Sequence, residues 1–219
     1  QFGKRMLSRE ETLGRLGIPE GAKIAAIFPH ILWDGSFFWG EDLFDDYTEW
    51  FTETLKAAGA NTGLRWVVKL HPGHVVKSRR ESLGNKPAEM AVIEQVFHTL
   101  PDHITLIQPE NELSTYSLYN NIDYAVTVRG TVGMEAALFG VPVVTAGTGR
   151  YDRRGFTIDS DSREEYLHAL ATLHTRPRLT PEQVELAERF AFGFFCCRPI
   201  GLKSVSLTSR RDALATAEL

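Results

Sequence analysis

One stretch, residues 123–151, constrains the fold more than any other part of the chain. Residues 123–128 are short, apolar and β-branched, and residues 141–146 repeat that character. Between them lie a tight turn at Arg129, Gly130 and Thr131 and a helix-forming segment at 134–139, which Gly140 and Pro142 bring to an end. Two short, buried, β-branched strands joined by a single helix are the pattern expected of a parallel pair, whose connection needs a crossover. The same turn sets backbone N–H groups at a helix start. Those groups lack intrahelical partners, so the turn can hold an anion. A plain strand-to-helix turn rich in glycine and threonine is the simpler alternative. Glu135 is expected in the first helical turn, where its carboxylate would accept from hydroxyls of a bound molecule.

The rest of the chain repeats this unit. Strands are predicted at 23–28, 65–70 and 103–107, and helices at 42–58, 87–99 and 114–119. The helix at 42–58 carries an apolar stripe of Leu43, Tyr47, Trp50, Phe51 and Leu55. Ser8 and Glu11 have capping-box spacing for a short helix ending near Gly17, and so do Ser162 with Glu165 and Thr180 with Gln183 for two later helices. In the last helix Val184, Leu186, Ala187 and Phe190 are expected to face inward. The alternation predicts an α/β fold, a doubly wound parallel Rossmann-like sheet. Its expected organisation is a lead-in at 1–22, one Rossmann-like domain at 23–200 and a loose tail at 201–219.

With 219 residues the chain can bury a sizeable core, and a formal charge of −4 argues against broad nucleic-acid binding. Cys196 and Cys197 are adjacent, which suits neither a disulfide nor metal spacing, so buried thiols in a reducing compartment are expected. No apolar run approaches the roughly 18 residues of a membrane span. The first residue is Gln1, from which a segment of a longer protein is expected, with a processed product as the alternative.

Ligands of doubly wound sheets bind at the carboxyl ends of the strands. Four predicted strands deliver chemistry to that edge. Residues 29–40 form an aromatic loop with His30 and Asp34. Lys69, Leu70, His71 and Pro72 close the next strand, and a basic stretch at 77–80 follows. Arg129, Gly130 and Thr131 form the turn, and Gly147, Thr148, Arg150 and Tyr151 a glycine-rich basic loop. Asp34 serves either as a base, its pKa raised by Trp33 and Phe37, or as part of a turn with Gly35. His71 either donates to a phosphate or ribose oxygen or satisfies backbone at the strand end. The spacing of His30, His71 and His74 matches no zinc pattern, so no metal is expected. No Gly-x-Gly-x-x-Gly, P-loop lysine or hydrolase nucleophile elbow is present.

The run Lys69 to Pro72, the segment from Gly130 to Val144, and Ala146 to Tyr151 with Gly155 to Asp159 resemble the bacterial capsule polysaccharide biosynthesis family. That family includes retaining β-Kdo transferases and, more distantly, polysialyltransferases and teichoic-acid polymerases. The likeness runs from about residue 23 to 161. It implies the C-terminal, donor-binding half of a GT-B glycosyltransferase, with a nucleotide-sugar donor, CMP-Kdo nearest, and no other cofactor. His71, Pro72, Arg129, Gly130, Thr131, Glu135, Gly147, Thr148, Arg150 and Tyr151 would hold the donor, and Asp34 and His71 would carry catalysis. The implied partners are a glycan or glycolipid acceptor and a further GT-B half, with peripheral attachment at the inner face of the membrane and a cytoplasmic location. Two departures stand out. Relatives carry a serine pair or Ser-Thr where this chain has Arg129, Gly130 and Thr131, and only Asp34 represents their acidic residues after the first strand. A non-catalytic nucleotide- or glycan-binding module and a nucleotide-sugar epimerase or hydrolase are the alternatives.

Overall fold

The computed structural model describes residues 5–32, 43–71, 73 and 87–198. Asp34, Pro72 and His74 lie outside the described residues, as does the tail expected at 201–219.

Five parallel strands appear where apolar, β-branched runs were expected: β1 (Ile24–Ile27), β2 (Arg65–Lys69), β3 (Ile104–Ile107), β4 (Tyr124–Thr127) and β5 (Val143–Thr145). They stand in the order β3-β2-β1-β4-β5. The order runs outward from β1 in both directions, so the chain reverses its winding between β1 and β4. In register, Ala26 lies beside Val67 on one side and Ala125 on the other.

Residue parity along the strands divides the core, as a two-residue repeat requires. Ala25, Ile27, Trp66, Val68, Tyr124, Val126 and Val144 point to one face, with Trp50, Phe51 and Leu55 of α2 (Tyr47–Ala60), Val92 and Ile93 of α3 (Ala88–Val96) and Tyr166 and Leu170 of α6 (Arg163–Ala171). Ile24, Ala26, Val67, Ala125 and Val143 point to the other. That face is covered by α1 (Arg9–Leu16), α4 (Thr115–Tyr119) and α5 (Thr131–Ala137). Both faces are therefore clothed, and the sheet is doubly wound. The lead-in expected at 1–22 contributes Leu7, Leu13, Leu16 and Ile18 to this second cluster, so it packs as part of the core. On the first face Tyr166 forms a buried polar hub: its hydroxyl accepts from Trp50 Nε1 at 2.8 Å and lies 2.8 Å from Thr54 Oγ1.

Several boundaries differ from expectation for local reasons. α2 begins at Tyr47 because the Asp46 carboxylate accepts from the Glu49 N–H and makes it the N-cap. The capping boxes of Ser8 with Glu11 and Thr180 with Gln183 form in full. At α6 only half of one forms: Ser162 accepts from the Glu165 N–H, while Glu165 Oε2 accepts from the Asp161 N–H at 2.8 Å. The last long helix, α7 (Pro181–Phe192), runs into a π turn at Gly193–Cys197, and Ala187 and Ala191 are its buried positions. Leu186 is exposed, contrary to the inward assignment, and so are both cysteines. The π turn carries Cys196 and Cys197 past the packed face of α7, so the expectation of buried thiols is corrected. Among the described residues no helix is long and apolar enough to cross a membrane.

Candidate functional site

A cavity of about 230 Å³ opens at the carboxyl ends of β1, β2 and β4, where the strand order reverses. This is the position at which open α/β sheets bind ligands. His30 follows β1, Lys69 and His71 end β2, Gly130 and Thr131 follow β4, and Glu135 reaches in from α5. The parity of the strands explains the choice of face. Lys69 and Thr127 stand two residues beyond Val67 and Ala125, so they share the face covered by α4 and α5. Thr115 and Tyr119 of α4 complete that wall.

Hydrogen bonds orient most of these groups. Gly73 N–H donates to His71 Nδ1 at 3.0 Å, which makes Nε2 the proton-bearing nitrogen of the neutral ring. His71 is exposed at the rim. His30 has the opposite tautomer: its Nε2 accepts from the Arg129 N–H at 3.3 Å, so Nδ1 carries the proton. Its ring lies nearly flat on Tyr47, centroids 4.6 Å apart. Lys69 is buried and its ammonium donates to the Leu113 carbonyl at 3.3 Å. The Tyr119 hydroxyl donates to Glu135 Oε2 at 3.1 Å. Burial, and then the adjacent Glu135 carboxylate, push the Tyr119 phenol far above its ordinary range, so it remains a donor at any working pH. The cavity thus gathers N–H and ammonium donors on the β2 side and one carboxylate on the α5 side. That is a division suited to a molecule with an anionic part and hydroxyls.

Glu135 sits a full turn beyond Thr131 rather than in the first turn, because α5 begins earlier than expected. Its position is set by the helix wall and by Tyr119. Gly130 is the N-cap of α5, in extended backbone. The glycine with the tightest surroundings is Gly133: a Cβ there would collide with the Tyr151 hydroxyl. Tyr151 is 2% exposed, and its hydroxyl donates to the Gly130 carbonyl at 2.6 Å. It therefore braces the turn from within the cluster formed by Met134, Ala137 and Phe156 and does not line the cavity. Arg129 is also buried, at 8% exposure. Its Cβ packs against Gly149, where an added Cβ would meet it at 2.9 Å, and it does not line the cavity either. Burial lowers the guanidinium's pKa, and Asp152 acts in the opposite direction.

The structure thus brings together His30, His71, Gly130, Thr131 and Glu135 from the residues singled out in the sequence. Gly147 and Thr148 are half-buried after β5. Arg150 faces a second cleft, of about 600 Å³, between that loop and the end of α7. Sequence reasoning named Lys69 only as part of a strand end and gave it no role, and it passed over Tyr119 and Thr115. Lys69 had a readable signal, a charged residue inside an otherwise apolar buried run. Tyr119 and Thr115 had none. Among the described residues no group of three or more His, Cys, Asp or Glu side chains is arranged to hold a metal ion.

A family model described as capsule polysaccharide biosynthesis protein matches residues 44–179, which is more than half of the chain and includes four of the five strands. No curated protein matches. Among solved structures, an S. aureus MnaA–UDP co-structure is similar at 16% identity and TM-score 0.53, covering 84% of this chain and 46% of the other. A UDP-GlcNAc 2-epimerase from Neisseria meningitidis, bound to UDP-GlcNAc, is similar at 15% identity and TM-score 0.51, covering 82% and 42%. A Thermosulfurimonas dismutans KpsC, described as a beta Kdo 2,7 transferase, has 20% identity and TM-score 0.45, covering 80% and 48%. The first two share the fold, and the chain spans less than half the length of each of these structures.

Proposed function

We propose that this chain, which belongs to the capsule polysaccharide biosynthesis family, is the donor-binding half of a GT-B glycosyltransferase. The observation that carries this reading is the cavity at the β1/β4 reversal. It sets Lys69 and the His71 Nε2–H on one side and Glu135 on the other. In the proposed complex Lys69, His71 and the N–H groups at Gly130 and Thr131 bind the phosphate of a nucleotide sugar, and Glu135 accepts from ribose or sugar hydroxyls. As the glycosidic bond breaks, negative charge develops on the departing phosphate oxygen. An ammonium and an imidazole N–H fixed before the reaction stabilise that charge without reorganisation. The donor we assign first is CMP-Kdo, on the resemblance of residues 69–72 and 130–144 to β-Kdo transferases. The acceptor, a glycan or glycolipid at the inner membrane face, would dock against a further half of the enzyme, with Asp34 as the candidate base on this side. No cofactor beyond the nucleotide sugar enters this reading.

The test is a thermal-shift panel of CMP, UDP, GDP, ADP and their sugar conjugates on the chain. A ligand bound only by the folded state raises its stability, by about 2.7 kcal/mol at a hundredfold excess over Kd. The expected result is a shift selective for one nucleotide, reduced in His71→Ala. A folded chain that responds to none of them sinks the reading. Nuclear magnetic resonance of the nucleotide sugar incubated without acceptor separates the alternatives. An altered sugar marks an epimerase, free sugar a hydrolase, and an unchanged molecule agrees with a transferase.

A further inference from the structure

The cleft beside the β5 loop is a second polar site with its own chemistry. It is lined by Arg150 from the loop, Arg189 from α7 and Arg198 after the π turn, over a floor that includes Phe190 and Phe194. The Arg150 guanidinium carbon lies 5.7 Å from the centroid of the Phe194 ring, and that of Arg198 lies 5.4 Å from the same centroid. Two like charges thus share one ring, and no carboxylate is among the described residues that line the cleft. Arg189 pairs with Glu185 on the same helix, at 2.6 Å. The arrangement depends on the π turn: Arg198 N–H donates to the Gly193 carbonyl at 2.9 Å, and this wider turn returns Arg198 to the side of Phe194.

We propose that this cleft binds an anionic saccharide, a sugar unit carrying a carboxylate or phosphate. Three features point to this class. Each guanidinium presents a planar fork that matches a carboxylate or phosphate bidentately, and those of Arg150 and Arg198 lie over the Phe194 ring. The rings of Phe190 and Phe194, with centroids 6.2 Å apart and planes 13° from parallel, give the cleft an apolar floor against which sugar C–H groups can pack. The volume, about 600 Å³, suits a ligand of two or three sugar units. Arg129, which directly precedes the turn at the first cavity, packs on Gly149, which lines this cleft. Its role in transfer, holding an acidic unit of the acceptor next to the donor, rests on the function proposed above; its ligand chemistry does not.

Calorimetric titration of the chain with trigalacturonate, against neutral maltotriose, tests the inference. Saturable binding of trigalacturonate only is expected, weakened about tenfold in Arg198→Gln and again in Arg150→Gln, with nucleotide binding unchanged in Arg198→Gln. Equal binding of maltotriose, or binding insensitive to Arg198→Gln, overturns it. So does binding confined to phosphatidylglycerol vesicles, which would assign the arginines to a lipid surface. If trigalacturonate binds through Arg198 while no nucleotide stabilises the chain, the cleft stands and the donor reading falls.

Discussion

The cleft at the amino end of this sheet and the cavity at its β1/β4 reversal are of opposite character, and the larger of these two is the less chemical. At the amino end a cleft of about 530 Å³ lies between α2 and α6, lined by Lys56, Asn61, Leu167 and His174 among others. Several neighbouring polar groups are occupied in closing the chain, though the buried His174 Nδ1 has no hydrogen-bond partner among the described residues. Asn61 Nδ2 donates to the Leu170 carbonyl at 2.9 Å, Trp66 Nε1 to the Asn61 carbonyl at 3.0 Å, and Lys23 Nζ to the His174 carbonyl at 2.8 Å. At the carboxyl end the cavity is less than half that size, yet side chains from three strands and two helices converge on it. The contrast teaches that topology marks the site. Strands that diverge at a reversal of winding leave a gap whose rim is made of loops, and loops can carry any side chain.

That contrast can be broken by substitution. The largest effect is expected for Lys69→Met combined with His71→Ala, which removes both donors from the β2 side. Nucleotide affinity, read by calorimetry, should fall about a hundredfold (~2.8 kcal/mol), with little movement of the urea unfolding midpoint. Gly133→Ala comes next. Its methyl would collide with the Tyr151 hydroxyl and push it off Gly130, lowering stability by about 2 kcal/mol as overpacking does. It should also weaken nucleotide binding, because the displaced turn lines the cavity. Native affinity in the Gly133→Ala protein would show that the brace does not position the turn. Asn61→Ala is the smallest and belongs to the other end. Losing the bonds to Leu170 and Gly63 should lower stability by about 1.5 kcal/mol and leave nucleotide affinity untouched. A loss of affinity there would mean that the two ends are coupled and the comparison false.

How far this is readable from the residues differs by level. The strands are legible because each is a short β-branched run bounded by turn residues, and the helix starts because Ser8, Ser162 and Thr180 carry their own capping chemistry. The strand order is not, since nothing in the residues of β1 states that it pairs with both β2 and β4; that follows from packing the helices on two faces. His71 and Thr131 stand out because each directly follows a strand or its turn. Polar groups beside glycines look ligand-facing, which puts Tyr151 and Arg129 with the ligand on sequence alone, yet both side chains are buried next to the turn. For Tyr151 the reason is specific. Its hydroxyl answers a backbone carbonyl 21 residues earlier, and no local pattern predicts that partner.

The bond between Tyr151 and Gly130 makes two separate stretches of chain one inherited unit. The turn after β4 and the loop after β5 cannot be exchanged independently. A graft that brings a relative's turn without the residue at 151, or that places any side chain at 133, arrives without its support. Families built on this pattern should therefore diversify their ligand choice by altering residues of the rim, such as 71, 115 and 135, while 130, 133 and 151 change together or stay as they are.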